Sequence, residues 1–258
     1  MSSSVMMSEL SWSEYERRLR QEDAVVLLPV GSVEQHGYHM PLGTDWLIGT
    51  YIAKRVAENV GGIVAPPIMY AARSQIRTGG GPHRMGTTNL RPETLIDTVF
   101  DVLTELGRHG AKKIALIDAH FENRFLLDEG CYRAQQHMED RGLKDVTILK
   151  ILYPERIKPE TLAAIYKGRP FPGLELEHAA FLETSMMLYI HPELVDMSKL
   201  ADEPAADFPP YDVFPVRPDW VPPSGCLSPA QGSTREVGEI LIEEFVTHVS
   251  SIVAKEFR

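Results

Sequence analysis

Apolar positions along this chain fall into short unbroken runs, separated by longer stretches in which apolar residues recur every three or four places. The run "AVVLLPVGS" (24–32) has the continuous apolar character of a strand buried on both faces. "GIVAPPIMY" reads as a second strand closed by prolines, "KKIALIDAH" as a third and "VTILKILY" as a fourth. Between them lie helical patterns. "SWSEYERRLRQED" predicts a short helix with Ser11 or Ser13 as its cap, and "DWLIGTYIAKRVAENVGG" carries Leu47, Ile48, Ile52, Val56 and Val60 on one face. Asp45 or Thr44 is the expected cap of that second helix and Gly61 its stop. "RPETLIDTVFDVLTELGRHG" is strongly amphipathic, with Pro92 near its start and Gly110 past its end, and "NRFLLDEGCYRAQQHMEDRG" is another helix. Alternating buried strands and helices predict a layered α/β/α fold with a mostly parallel central sheet. In such sheets ligands bind beyond the carboxyl ends of the strands.

Length and composition narrow the classes. With 258 residues, 43% hydrophobic and 24% charged, the chain suits one soluble α/β domain over 1–258. The stretch "DEPAADFPPYDVFPVRPDWVPP" (202–223) is too rich in proline for regular helix and reads as an ordered extended arm. Its aromatics Phe208, Tyr211, Phe214 and Trp220 suit packing either across a subunit boundary or on their own subunit. A net charge of -10 argues against a nucleic-acid partner. No apolar stretch approaches the roughly 20 residues that span a bilayer, and the opening residues lack the pattern of a signal peptide. Two cysteines, Cys131 and Cys226, fit a reducing cytoplasm better than a disulfide scaffold.

The chemistry concentrates where strands end. "VGSVEQHGYHMPLGTD" sets Glu34, His36, His39 and Asp45 behind the first buried run, and "IALIDAHFEN" sets His120 and Glu122 behind the third. One segment reads Glu-x-His and the other His-x-Glu. In extended backbone, residues two apart project to the same side, about 7 Å from one another. Each pair can therefore aim both groups into one cavity. A single His-x-Glu in a loop is more often solvated than ligating; two mirrored pairs with an aspartate are harder to explain that way. Three buried carboxylates without counter-ions would be very costly. Two divalent cations about 3.5–4 Å apart would neutralise them and share one carboxylate, for which the unpaired Asp45 is the natural bridge. Imidazole with carboxylate suits zinc or manganese, and the sequence does not choose. His39 is left out of the ligand set. The glycines of "TGGGPHRMGTT" (78–88) let that loop approach a small ligand closely.

These segments, with "LELEHAAFLETSMML", "FPPYDVFPV" and "GCLSPAQGSTREVGE", strongly resemble the creatininase (creatinine amidohydrolase) family over nearly the whole chain. The resemblance implies a binuclear metal centre, commonly in a homohexamer, that opens a small cyclic amide (creatinine with water giving creatine) by metal-activated water. It implies that Glu34, Asp45 and His120 hold one ion, and that His36, Asp45 and Glu122 hold the other. It assigns His178 as proton shuttle beside Glu177, Glu183 as a support behind the site, and Thr78, Phe121, Leu174, Glu175 and His178 as substrate contacts. The chain departs from creatininase itself around the substrate. Pro154 and Leu174 stand where tryptophans enclose the creatinine ring, Glu175 replaces an aspartate, and Phe121 replaces a tyrosine. Fewer aromatic walls leave less stacking surface. Two alternatives therefore stay open at this stage. One is hydrolysis of another ring, such as carbon–carbon cleavage of an inositol-derived ketone; the other is a metal- or metabolite-binding protein without turnover.

Overall fold

Four parallel strands, in the order β2-β1-β3-β4, form the centre of the molecule. The computed structural model describes residues 4–257; residues 1–3 and 258, part of the expected domain range, lie outside the described residues. In chain order the main elements are α1 (Trp12–Glu22), β1 (Val26–Val30), α2 (Thr44–Val60), β2 (Ile63–Val64), α3 (Ile76–Gly79), α4 (Pro92–His109), β3 (Lys113–Asp118), α5 (Arg124–Asp140), β4 (Thr147–Leu152), α6 (Pro159–Tyr166), α7 (Phe181–Ile190) and α8 (Arg235–Glu256). β1 and β3 pair in parallel from Val26 with Ile114 to Val30 with Asp118, so their carboxyl ends lie side by side.

The period-2 alternation of the strands splits the core into two layers. Val26, Leu28, Val30, Ile114 and Leu116 face α1, α4 and α5, where they meet Leu19, Leu95, Val99, Leu103 and Leu127. Leu27, Val64, Ala115 and Ile117 face α2, α7 and α8, where they meet Ile48, Ile52, Met187, Leu241 and Phe245. Each such fully buried aliphatic side chain contributes roughly 1.5–3 kcal/mol, so helices on both faces follow from the unbroken apolar runs. The layered α/β/α expectation holds. Two details differ. β2 keeps only Ile63 and Val64 because Pro66 and Pro67 cannot donate to the ladder. β4 is an edge strand with only Ile151 buried, so its apolar run is covered on fewer sides than the others.

Helix ends place the later chemistry. Ser11 caps α1 by accepting from the backbone N–H of Glu14. Neither Thr44 nor Asp45 caps α2, as the sequence suggested; Gly43 is the cap residue, and both side chains sit inside the first turn. Thr44 donates instead to the carbonyl of Pro41 (2.8 Å). Asp45 is thus held where the positive end of the helix dipole favours an ionised carboxylate. The proline-rich arm is partly folded back: Phe208, Val216 and Trp220 pack against Ile76, Val221 and Leu227 of their own chain. Tyr211 and Phe214 remain exposed.

Candidate functional site

The mirrored pairs do meet at the carboxyl ends of β1 and β3. Glu34, His36, Asp45, His120, Glu177 and His178 are all buried. Asp45 stands at the centre: its Oδ1 lies 3.0 Å from His36 Nε2 and its Oδ2 3.1 Å from His120 Nδ1. Glu34 Oε1 reaches the same ring, 3.3 Å from His120 Nδ1. Glu34, Asp45 and His120 form one cluster with ligand atoms close enough to share an ion; His36, Asp45 and Glu183 form another. The shared member of the two is Asp45.

Each ring has one nitrogen at a backbone carbonyl and the other turned to Asp45. The Nδ1 of His36 lies 3.2 Å from the carbonyl of Glu34, and the Nε2 of His120 lies 3.3 Å from the carbonyl of Ala72. A carbonyl only accepts, so those nitrogens carry the protons. The opposite nitrogens point at Asp45, where a cation would replace their protons, which is how metal-ligating histidines are commonly oriented. Among the described residues, Glu34 Oε2 and Asp45 Oδ2 are buried without a hydrogen-bond donor. An orphaned buried carboxylate oxygen is costly, and a cation would satisfy both. The residues therefore fit divalent metal ions by atom type, by tautomer and by unmet valence.

Electrostatics agrees. Burial alone would lower His36, but Asp45, Glu183 and Glu34 outweigh it and raise the imidazole to about 10. Burial likewise opposes charge on His120, yet Glu34 and Glu122 hold it well above its ordinary value. Burial pushes the Glu183 carboxyl up to about 8 despite the pull of His36. The cluster thus draws positive charge into itself, as protons when no ion is present. His178 behaves oppositely: burial and the neighbouring His36 hold it well below the ordinary imidazole value.

Not every expected neighbour lies as expected. His120 is extended, but Phe121–Asn123 turn into a 3-10 helix, so the same-side argument fails for Glu122. That carboxylate accepts from the backbone N–H of Gln75 (3.0 Å) and from the Thr78 hydroxyl, with Oε2 3.3 Å from His120 Nε2. The carboxylate beside His36 is Glu183, with Oε2 3.6 Å from Nε2. The expected trio of His36, Asp45 and Glu122 is therefore gathered with Glu183 in the third place. Thr78, Phe121, Pro154, Leu174, Glu177 and His178 line the cavity over the cluster, about 680 Å³ counting its open mouth. Glu175 does not; it lies on the adjoining groove with Arg73, Arg77 and Asp212. The glycine loop approaches the cluster itself, since a Cβ on Gly79 would stand 3.0 Å from both Glu122 Oε1 and Glu34 Oε2. His39, read as a loop residue, is buried against Thr184 (2.8 Å), and burial pushes it down to about 4.

Sequence reasoning passed over three residues. Gln35, inside the quoted Glu-x-His pair, is buried and contacts His178. Asn123 ties Gly31, Ala72 and Asp118 together behind the site. Tyr166 donates to Glu177. Only Gln35 carried a signal, a polar side chain flanked by two candidate ligands.

A parallel α/β sheet whose strand ends hold two adjoining imidazole–carboxylate clusters sharing an aspartate defines a protein built around a pair of divalent-cation sites. A family model described as Creatininase: Creatinine amidohydrolase matches residues 8–253. Creatinine amidohydrolase of Pseudomonas putida is 42% identical over 258 residues, covering 100% of this chain and 99% of that protein. A variant creatininase of Zn-Zn type superposes with a TM-score of 0.97 at 41% identity, covering 99% of each chain. A manganese creatininase gives 0.96 at 42% identity, covering 98% of this chain and 99% of that one. The chain belongs to the creatininase family.

Proposed function

We propose that this protein is a metal-dependent hydrolase that opens a small cyclic amide, creatinine in the first instance, adding water to yield creatine. The observation that carries the reading is Asp45 standing between the ring nitrogens of His36 and His120, at 3.0 Å and 3.1 Å. Glu34, Asp45 and His120 would hold one divalent ion, and His36 with Asp45 the other. For its third donor we take Glu122, with Glu183 as the carboxylate already beside His36. Zinc or manganese suits the donor set, and both occur in the related structures. Bound there, such ions polarise a carbonyl and acidify water.

The chain's own groups do the rest. The buried walls of the cavity strengthen the charge interactions within it. Attack on the amide carbonyl releases one proton from water, and the departing nitrogen takes one up. Glu122 and His178, both in the cavity wall, are the groups placed to handle that proton, with Glu177 anchoring the turn that carries His178. Phe121, Leu174 and Pro154 form apolar walls suited to a small ring, with Thr78 at the edge. The end-to-end likeness to an amide hydrolase at 42% identity supports a carbon–nitrogen bond over the ketone alternative, which no feature of this site favours.

The rest of the reading is a homohexameric cytoplasmic enzyme. Free Cys131 and Cys226 suit a reducing compartment, and the exposed Tyr211 and Phe214 suit a subunit contact. Among the described residues no helix is long and apolar enough to cross a membrane. The deciding experiment incubates zinc- or manganese-loaded protein with creatinine and other cyclic amides and follows ring opening by mass. Creatine formation abolished by Asp45→Asn, together with loss of bound metal, is the expected result. Full metal occupancy without turnover on any of them would make this a binding protein. Ion content of Glu122→Gln against Glu183→Gln identifies the third donor of the second ion.

A further inference from the structure

Beside the cavity over the two clusters lies a larger groove of about 1200 Å³ counting its open mouth, between the loop that carries α3 and the start of α5. The two spaces adjoin, and Thr78, Phe121 and Glu122 line both. The single turn of α3 that brings the Thr78 hydroxyl to Glu122 also sets Arg77 in the groove. Part of the groove wall is apolar: Phe121, Leu126 and the mostly exposed Phe125 offer surface to a methylene chain.

The charged residues of this wall are not equivalent. Arg124 is committed to Glu155 (2.9 Å), and Glu122 to Gln75, Thr78 and His120. Arg73 and Arg77 remain, with Glu175 and Asp212 as the opposite charges. Both of these carboxylates are exposed, where water satisfies them. Arg77 is placed otherwise. Its Nε is buried without an acceptor, and Asp212 stands 3.9 Å from Nη1, beyond hydrogen-bond length. Among the described residues the Arg73 side chain has no partner. A buried donor left unpaired is costly, whereas an exposed carboxylate is not. The unmet demand in the groove is therefore for an anion, and a planar guanidinium fork matches a carboxylate.

We propose that the groove is a second subsite of this cavity, binding a carboxylate carried on a short aliphatic arm of a cyclic amide, with Arg77 and Arg73 as the residues that recognise it. The ring lies over the clusters, the arm passes Thr78 and Phe121, and the carboxylate meets the two guanidiniums. Creatinine fills the ring position alone, so a ring with an acid arm is the better ligand. The ring half of this inference rests on the hydrolase reading; the anion subsite does not, so the two fail separately.

Two probe sets test it. In the first, a cyclopentane stands for the ring and cannot be opened. 3-Cyclopentylpropanoic acid, its amide and 3-cyclopentylpropylamine are titrated by calorimetry into wild type, Arg77→Gln and Arg73→Gln, each zinc-loaded and metal-free. The acid should bind the wild type about tenfold tighter than the amide or the amine, in both forms. Each substitution should cut that preference about three- to tenfold. Arg73 is exposed, so its variant keeps the comparison should Arg77→Gln not fold. No binding of the acid, equal binding of acid and amide, or tighter binding of the amine would overturn the proposal. So would a preference that both variants keep, as direct ligation of zinc by the carboxylate would give. In the second set, hydantoins bearing a 5-propanoic acid arm or its amide are followed for ring opening by mass on the zinc-loaded proteins. The ratio of kcat/KM should favour the acid about tenfold and shrink in both variants; equal turnover of acid and amide would overturn the proposal. Failure to open any ring, with the calorimetric preference and its loss intact, would sink the hydrolase reading and uphold the anion subsite.

Discussion

Replacing Tyr166 by phenylalanine removes one oxygen atom from the back of the site and tests how its buried acid is held. The ring should stay in place, since it packs against Phe171 and Phe181 with centroids 5.4 and 5.1 Å away. What goes is the hydroxyl that donates to Glu177 Oε1, leaving the Leu182 backbone N–H on Oε2 at 2.8 Å. Burial pushes the Glu177 carboxyl up to about 7 from an ordinary 4.5, against the pull of Tyr166 and Leu182. Without Tyr166 it must rise further. A raised carboxyl contributes stability that is fully present below its unfolded value of 4.5 and lost as pH climbs through its folded value. The wild type stops losing this contribution above about 7, whereas Tyr166→Phe goes on losing it. The stability gap should therefore widen with pH. It is worth about 0.5–1.5 kcal/mol where Glu177 is neutral and about 1.5–3 kcal/mol where it is ionised. Urea unfolding of the metal-free proteins at about pH 5.5 and about pH 8.5 measures both, and other titrating groups cancel in the difference. A gap equal at the two pH values, or larger in acid, would refute the account of Glu177.

Two further outcomes follow from the cavity. Chelation should abolish ring opening and lower the unfolding free energy by about 2.7 kcal/mol for each ion present at 100 times its Kd, with zinc or manganese restoring both; unchanged stability would mean the buried carboxylates need no cation. Pro154→Trp with Leu174→Trp should return stacking walls worth about 0.5–1.5 kcal/mol and lower the KM for creatinine about three- to tenfold. A raised KM would show that these positions no longer face the ring.

Most of the architecture was legible because it rests on short-range pattern. Unbroken apolar runs forced two-sided burial, and two-sided burial forced the three layers. The failures sit where tertiary context overrules local propensity. Thr44 and Asp45 are good capping residues by type, yet the turn at Pro41 to Gly43 starts the helix one residue earlier and sends Thr44 back to Pro41. The mirrored pairs were read partly for the wrong reason. A period-2 argument applies to extended chain; Glu122 belongs to a 3-10 turn and reaches the cavity from there. Periodicity could not place Glu183 next to His36, since 147 positions of chain separate them and only the packing of α7 against α2 closes the distance.

The glycine loop carries the wider lesson about what a sequence hides. Flexible, small residues near a site suggest room for a ligand, and "TGGG" invited that interpretation. In the folded protein the space at Gly79 is taken by the hydroxyl of Ser74 and the carboxylates of Glu34 and Glu122, and the space at Gly80 by the amide of Gln35. The missing side chains make way for the protein's own groups. That arrangement couples three segments: the turn after β1 supplies Gln35, the loop before α4 supplies its cradle, and Gly225 closes it from the far end of the arm. The cavity walls and the supports of the site therefore come from different residues. The apolar walls of the cavity are Phe121, Pro154 and Leu174, none of which offers a donor atom to the two clusters. The contact of Gln35 with His178 depends on glycines that cannot acquire a Cβ without displacing that amide. A family that keeps its metal chemistry while changing substrates would be expected to vary the first set and hold the second.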